Sequence, residues 1–111
     1  MKLLNKTIGE EKMKVKKLVT RLQKLEASAK KYYYSLKRPH FSDGFENKYG
    51  WKIRSILDEL YSKELLEEFK LYVKENDLDY YINVRWEKQN ISGKEFDVQI
   101  GERTYLGDML A

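Results

Sequence analysis

Between Ile8 and Leu36 apolar residues recur on a seven-residue grid. Ile8, Val15, Leu22, Ala29 and Leu36 form one row, and Leu18, Leu25 and Tyr32, three residues further along, form a second. That spacing lays both rows along one side of a helix, so residues 7–38 read as one long amphipathic helix. Thr7 followed by Glu10 has the form of a reciprocal capping box, and Glu10 and Glu11 stand where the helix dipole favours negative charge. Pro39 closes the helix after Arg38, because it restricts the residue before it and lacks a backbone N–H. Met1 and Leu4 extend the grid toward the N-terminus, but Gly9 weakens that longer reading.

The connector 39–51 holds a Ser42-Asp43-Gly44 turn signal, a second weak point at Gly50, and the aromatic residues Phe41, Phe45 and Tyr49 between them. A helical pair is expected over 52–76. Ile53, Ile56, Leu57 and Leu60 give the first helix its buried face, and Ser62 is a suitable N-cap for the second. Leu65, Leu66, Phe69, Tyr72 and Val73 form the stripe of that second helix, although a continuous bent helix through Tyr61 to Lys63 stays open. After Asn76-Asp77 the period falls to two: Tyr80, Ile82, Val84 and Trp86 alternate with polar residues, as do Phe96, Val98 and Ile100 beyond a polar segment. Residues 79–106 therefore read as an antiparallel hairpin with its apolar residues inward and Glu87 and Asp97 toward solvent, with Thr104 to Leu106 as a possible third strand. The expected architecture is α+β in a single domain, residues 1–111: a long N-terminal helix, two shorter helices, then a C-terminal β-hairpin or three-stranded meander.

A chain of 111 residues suits one core, and its nine tyrosines argue against disorder. No apolar run approaches the length of a membrane span, and the first residues lack the apolar stretch of a secretory signal. Cysteine is absent, which excludes disulfides and thiolate metal sites; the expectation is a cytoplasmic protein without a membrane partner. Charge changes the picture more. The net charge of +4 divides unevenly: residues 1–38 hold 12 Lys and Arg against 3 Asp and Glu, whereas residues 39–111 hold 10 against 15. The basic part calls for an anionic surface, either a partner's or that of its own acidic half.

Candidate chemistry is sparse. His40, the single histidine, stands in the connector without a nucleophile or acid partner in any recognisable pattern. No glycine-rich phosphate loop is present, and no cofactor or metal site is expected. Asp77, Asp79, Glu87, Asp97 and Asp108 lie in or near the hairpin and would make a Mg²⁺-dependent nuclease if they converged on an ion. The competing reading makes Glu87 and Asp97 the solvated side of a half-buried sheet.

The basic helix carries the strongest signal. With Ile8 at position a, Lys16, Lys30 and Lys37 fall at b, Lys17, Lys24, Lys31 and Arg38 at c, and Lys14 and Arg21 at g. From Lys14 to Arg38 the helix rises about 36 Å, close to one turn of duplex. Tyr32, Tyr33 and Tyr34, inside the run Lys30 to Arg38, interleave charge with rings able to stack on bases, although Tyr32 and Tyr33 also extend the apolar side. A helix needs a charged solvent face in any case, yet the near absence of acids here favours nucleic acid or a nucleoprotein as partner. The seam also raises a homodimer through this helix. Its flanking charges pair poorly in either orientation, and Val19 and Tyr33 broaden the apolar stripe, which favours packing within one chain.

In size, in lack of cysteine, in abundance of Lys, Glu, Asn and Tyr, and in lopsided charge, the whole chain resembles small accessory proteins of phages and mobile elements, including anti-CRISPR inhibitors. That resemblance implies a non-enzymatic inhibitor that blocks a nucleoprotein such as a CRISPR effector by occupancy. It implies two routes: the basic helix seizing RNA or DNA, or a protein-facing acidic surface of Glu64, Glu67, Glu68, Glu75, Asp77 and Asp79 entering a cationic channel in place of nucleic acid.

Overall fold

The first helix, α1, spans Lys2–Ser35 and packs its apolar side onto the helices that follow. The computed structural model describes residues 2–36, 43–80 and 82–103, with the side chains of 2–8 and 43 excepted. Lys37, Arg38, His40, Asp108 and the possible third strand lie outside the described residues. A short helix α2, Asp43–Phe45, runs through a π-helical turn, Glu46–Gly50, into α3, Trp51–Leu60. Helix α4 spans Leu66–Glu75, and the strands β1, Asn83–Ile91, and β2, Lys94–Glu102, form an antiparallel pair. The architecture is α+β, with a long N-terminal helix, shorter helices and a C-terminal hairpin.

Helical periodicity translates directly into burial. Val15, Leu18, Val19, Leu22 and Ala29 of α1 meet Ile53, Ile56, Leu57 and Leu60 of α3 and Leu66, Phe69 and Val73 of α4 in one core, with Leu25 and Tyr32 half-buried beside it. The seam of α1 is thus occupied within the chain over Val15 to Ala29. Burying side chains of this size contributes about 1.5–3 kcal/mol each before the entropy of ordering the chain is set against it.

Four boundaries differ from the sequence expectation. Helix α1 starts at Lys2, so Thr7 lies inside the helix and not at its start; extending an existing helix adds a hydrogen bond without a new nucleation cost, which outweighs the penalty at exposed Gly9. It ends at Ser35, whose hydroxyl donates to the Tyr32 carbonyl at 2.6 Å and competes with continuation. The connector is helical from Asp43, because Phe45 is fully buried among Tyr32, Tyr33 and Tyr49 and fixes the segment against α1. Ser62 does not cap α4 with its side chain: the helix starts after Leu65, and the Ser62 carbonyl accepts from the Leu65 and Leu66 amides at 3.2 and 2.9 Å. Helix α4 closes in a Schellman arrangement, with Leu78 N–H donating to Val73 O at 2.9 Å and Asp77 N–H to Lys74 O at 3.3 Å around a left-handed Asp77, φ 50°.

The hairpin departs furthest from expectation. Ser92 and Gly93, with φ of 54° and 83°, make a two-residue turn of the type that matches strand twist, so both strands run through the polar segment. The register pairs Val84 with Gly101, Trp86 with Gln99, Glu87 with Val98 and Gln89 with Phe96. Even-numbered residues of β1 therefore share a face with odd-numbered residues of β2. Val84 and Trp86 face the core, whereas Phe96, Val98 and Ile100 lie on the other face beside Gln89, Glu87 and Arg85. The two apolar rows do not form one inner face, because the turn length fixes the parity of pairing and a one-residue shift would be needed to unite them. Asp97 accordingly stands on the inner side and pairs with Lys63 at 2.6 Å, while Trp86 Nε1–H donates to the Tyr61 carbonyl at 3.0 Å. Residues 88–97 are exposed throughout.

Candidate functional site

The outward side of α1 is densely cationic. Between Lys12 and Ser35 the helix carries Lys12, Lys14, Lys16, Lys17, Arg21, Lys24, Lys30 and Lys31, all exposed, and a single acid, Glu26. Glu26 is turned inward and half-buried, accepting a hydrogen bond from the Tyr80 hydroxyl at 2.6 Å. The outward side of this stretch therefore carries no carboxylate of its own. Among the described residues none of the eight cations lies within ion-pairing distance of an acid; the ion pairs there involve Arg54, Lys63, Lys70, Arg85 and Arg103.

The ladder is not uniform. Measured against Val15, Leu18, Val19, Leu22 and Ala29, the side chains of Lys17, Lys24 and Lys31 fall within about 40° of the opposite pole at ~100° per residue. They form a ridge with a spacing of about 10.5 Å between neighbours. Lys14 instead lines a cleft with Glu10, Glu11, Glu59 and Glu64. Lys12 and Lys16 line another with Glu68, Tyr72 and Glu75. In both clefts the acidic half of the chain faces the basic helix, which lowers the local potential at Lys14 and Lys16 but not along the ridge. Arg21 and Lys30 flank the ridge on either side and are exposed.

The aromatic residues at the end of α1 divide in the same way. Tyr32 packs on Phe45 and Tyr49, with ring centroids at 6.3 and 5.6 Å, and the Lys48 ammonium stands 5.1 Å from its ring centre. Tyr33 meets Phe45 edge-on at 5.9 Å. Tyr34 is 55% exposed, set edge-on to Tyr33, and extends the ridge by one ring face.

The acidic residues proposed as a protein-facing surface are not gathered into one patch. Glu64 belongs to one cleft and Glu68 and Glu75 to the other, Glu67 pairs with Lys70 at 3.7 Å, and Asp77 and Asp79 follow the end of α4. Nor do the described members of the nuclease constellation, Asp77, Asp79, Glu87 and Asp97, converge. Glu87 and Asp97 occupy opposite faces of the hairpin and are paired with Arg85 and Lys63, and no group of three metal-ligating side chains occurs among the described residues. No helix among those residues is long and apolar enough to cross a membrane.

Burial raises the pKa of the Glu26 carboxyl, partly offset by the Tyr80 hydrogen bond, and the same burial and bond push the Tyr80 phenol far upward. Sequence reasoning passed over this pair, although Glu26 is spaced four residues from Leu22 and three from Ala29, which places it on the buried face. Its partner, 54 residues away, had no local signal. Neither a protein-family model, nor a curated protein, nor a solved structure matches the chain.

Proposed function

We propose that the chain is a non-enzymatic binding protein that holds nucleic acid by its phosphates along the Lys17, Lys24 and Lys31 ridge and acts by occupancy. The observation that carries this reading is the inward turn of Glu26, which leaves the exposed side of α1 from Lys12 to Ser35 without a carboxylate. From Lys17 to Lys31 the ridge rises about 21 Å, the span of about six phosphates at ~3.4 Å per strand step. Cations spaced along a rigid helix neutralise phosphate charge and release counterions, a contribution that gives affinity without base choice. Arg21 and Lys30 add charge at the sides and Tyr34 a stacking face. Covering phosphates in this way would also block a nucleoprotein whose guide or target strand is reachable, a CRISPR effector included.

Fluorescence anisotropy with a labelled duplex and a labelled single strand, titrated between 50 and 200 mM salt, tests the reading. Replacing Lys17, Lys24 and Lys31 together by Gln should reduce the slope of log affinity against log salt by about 2 to 3. Replacing Lys14 and Lys16 should reduce it less, since acids line the clefts they occupy. Unchanged affinity and slope in the triple variant would remove α1 from this role.

A further inference from the structure

The outer face and outer edge of the hairpin are unaccounted for by the ridge. Phe96 is 48% and Ile91 50% exposed, and Val98 and Ile100 lie on the same face with only Arg85, Glu87 and Gln89 opposite them. Among the described residues β2 pairs with β1 alone, so nine residues, Lys94–Glu102, present a second, unpaired edge. An exposed strand edge of this length with an apolar row is a template for another strand.

The geometry points to a second copy of this chain as the occupant, joined by antiparallel β2 to β2 pairing about a two-fold axis at Val98. The order of residues along β2 is self-complementary about that point. Val98 meets its own counterpart, Phe96 meets Ile100 of the other copy, and Lys94 meets Glu102. An apolar centre is thus bounded at both ends by opposite charges. On the inner face Asp97 meets Gln99 and Glu95 meets Gly101, so no like charges stand directly opposed, and Asp97 is already neutralised by Lys63 at 2.6 Å. β1 offers no such centre: pairing about Glu87 would oppose Glu87 to itself.

Backbone alternation agrees with the side chains. In a hairpin closed by a two-residue turn the flanking pair, here Ile91 and Lys94, is hydrogen-bonded, and the pattern alternates from there. The N–H and C=O groups of Phe96, Val98 and Ile100 are then spent on β1, while those of Glu95, Asp97 and Gln99 point to the free edge. In the dimer Asp97 and Gln99 of the two copies carry the central main-chain bonds, and Val98 falls at a non-hydrogen-bonded pair. There the Cα atoms approach to about 4.5 Å and side chains pack closest.

Sedimentation of the full chain over a wide concentration range, with reversed charges and a cross-link, tests this pairing. The unmutated protein should convert from monomer to dimer as concentration rises. Lys94→Glu opposes two acids at each end and should raise the dissociation constant about ten-fold, and adding Glu102→Lys should restore it. The chain has no cysteine, so Val98→Cys supplies one thiol per copy at a separation suited to a disulfide. Mild oxidation should cross-link it far faster than Gln89→Cys on β1. A monomer at every concentration overturns the inference, whether the edge stays open or residues 104–111 or another protein cover it. A dimer indifferent to Lys94→Glu and without preferential cross-linking at Val98→Cys also overturns it, by placing the contact elsewhere.

Discussion

The helical part and the hairpin were written with the same alphabet of apolar and polar alternation, yet only the helical part buries what its pattern marks. In α1, α3 and α4 each apolar stripe meets another, and Phe69 and Leu22 reach zero exposure. In the hairpin one apolar row goes inward with Val84 and Trp86 and the other goes outward with Phe96, Val98 and Ile100. A helix face is fixed by spacing within its own residues. A strand face is fixed jointly by spacing and by the turn that sets its partner, so a two-residue turn redirects a whole row. Among the described residues the hairpin is tied to the helices by Val84 in the core, Trp86 and Gln99 at the Tyr61 carbonyl, and Lys63 with Asp97, and the residue after it by Arg103 with Asp58.

The sharpest way to break this contrast is to truncate one phenylalanine in each part. Phe69→Ala removes a ring packed edge-on against Tyr61 at 5.6 Å in the core and should lower unfolding free energy by about 3–5 kcal/mol. Phe96→Ala, measured in dilute protein by the same urea titration, should cost less than about 1 kcal/mol. Equal losses would mean that the outer hairpin face is covered within the monomer.

A smaller effect is expected at Gly101. Its φ of +104° is strained for any side chain, and a Cβ there would overlap the backbone carbonyl of Asn83 rather than a movable side chain. Gly101→Ala should therefore cost about 2 kcal/mol and act on the strand pairing first. Fluorescence of Trp86 should shift toward that of an exposed indole while helical circular dichroism is retained; Trp51 is already 64% exposed and changes little. Loss of helical signal in step with fluorescence would show the hairpin to be part of the helical folding unit.

Much of the fold is readable in the residues themselves. The seven-residue grid of α1, with Val19 broadening it, marks a helix that docks on its own domain, the stripes from Ile53 to Val73 mark α3 and α4, and the change of period after Asn76 marks the hairpin. What escaped reading depends on residues far apart. The start of α1 is obscured by the capping pattern of Thr7 and Glu10, which cooperativity overrides, and the helical connector depends on Phe45 finding Tyr32 and Tyr49. The parity of the hairpin rests on two residues, Ser92 and Gly93, that carry no hydrophobic signal. The cationic ridge was legible as composition, but its division into an open row and two acid-lined clefts required knowing where Glu59, Glu64, Glu68 and Glu75 come to lie.

The weakest expected effect tests the clasp between the two parts. Tyr80, just ahead of β1, donates to Glu26 on α1, and burial makes the folded state hold the Glu26 proton more tightly than the unfolded chain does. The native state then binds more protons in the window above the ordinary carboxylate value. Stability contributed at this position falls as pH rises through that window and is recovered as pH falls through it. Glu26→Gln keeps an oxygen to accept from Tyr80 and removes the desolvated charge, so it should raise the melting temperature slightly at pH 7. The difference from the unmutated protein should shrink as pH falls and the carboxyl is itself protonated. Asp97 acts in the opposite sense: Lys63 lowers its pKa, and its stabilising pair is lost as pH falls. Lys63→Gln should remove that acid-side loss without altering the Glu26 difference. If Glu26→Gln lowers the melting temperature at pH 7, the charged hydrogen bond to Tyr80 outweighs desolvation, and the clasp joins hairpin to helix as a carboxylate held by a neutral phenol.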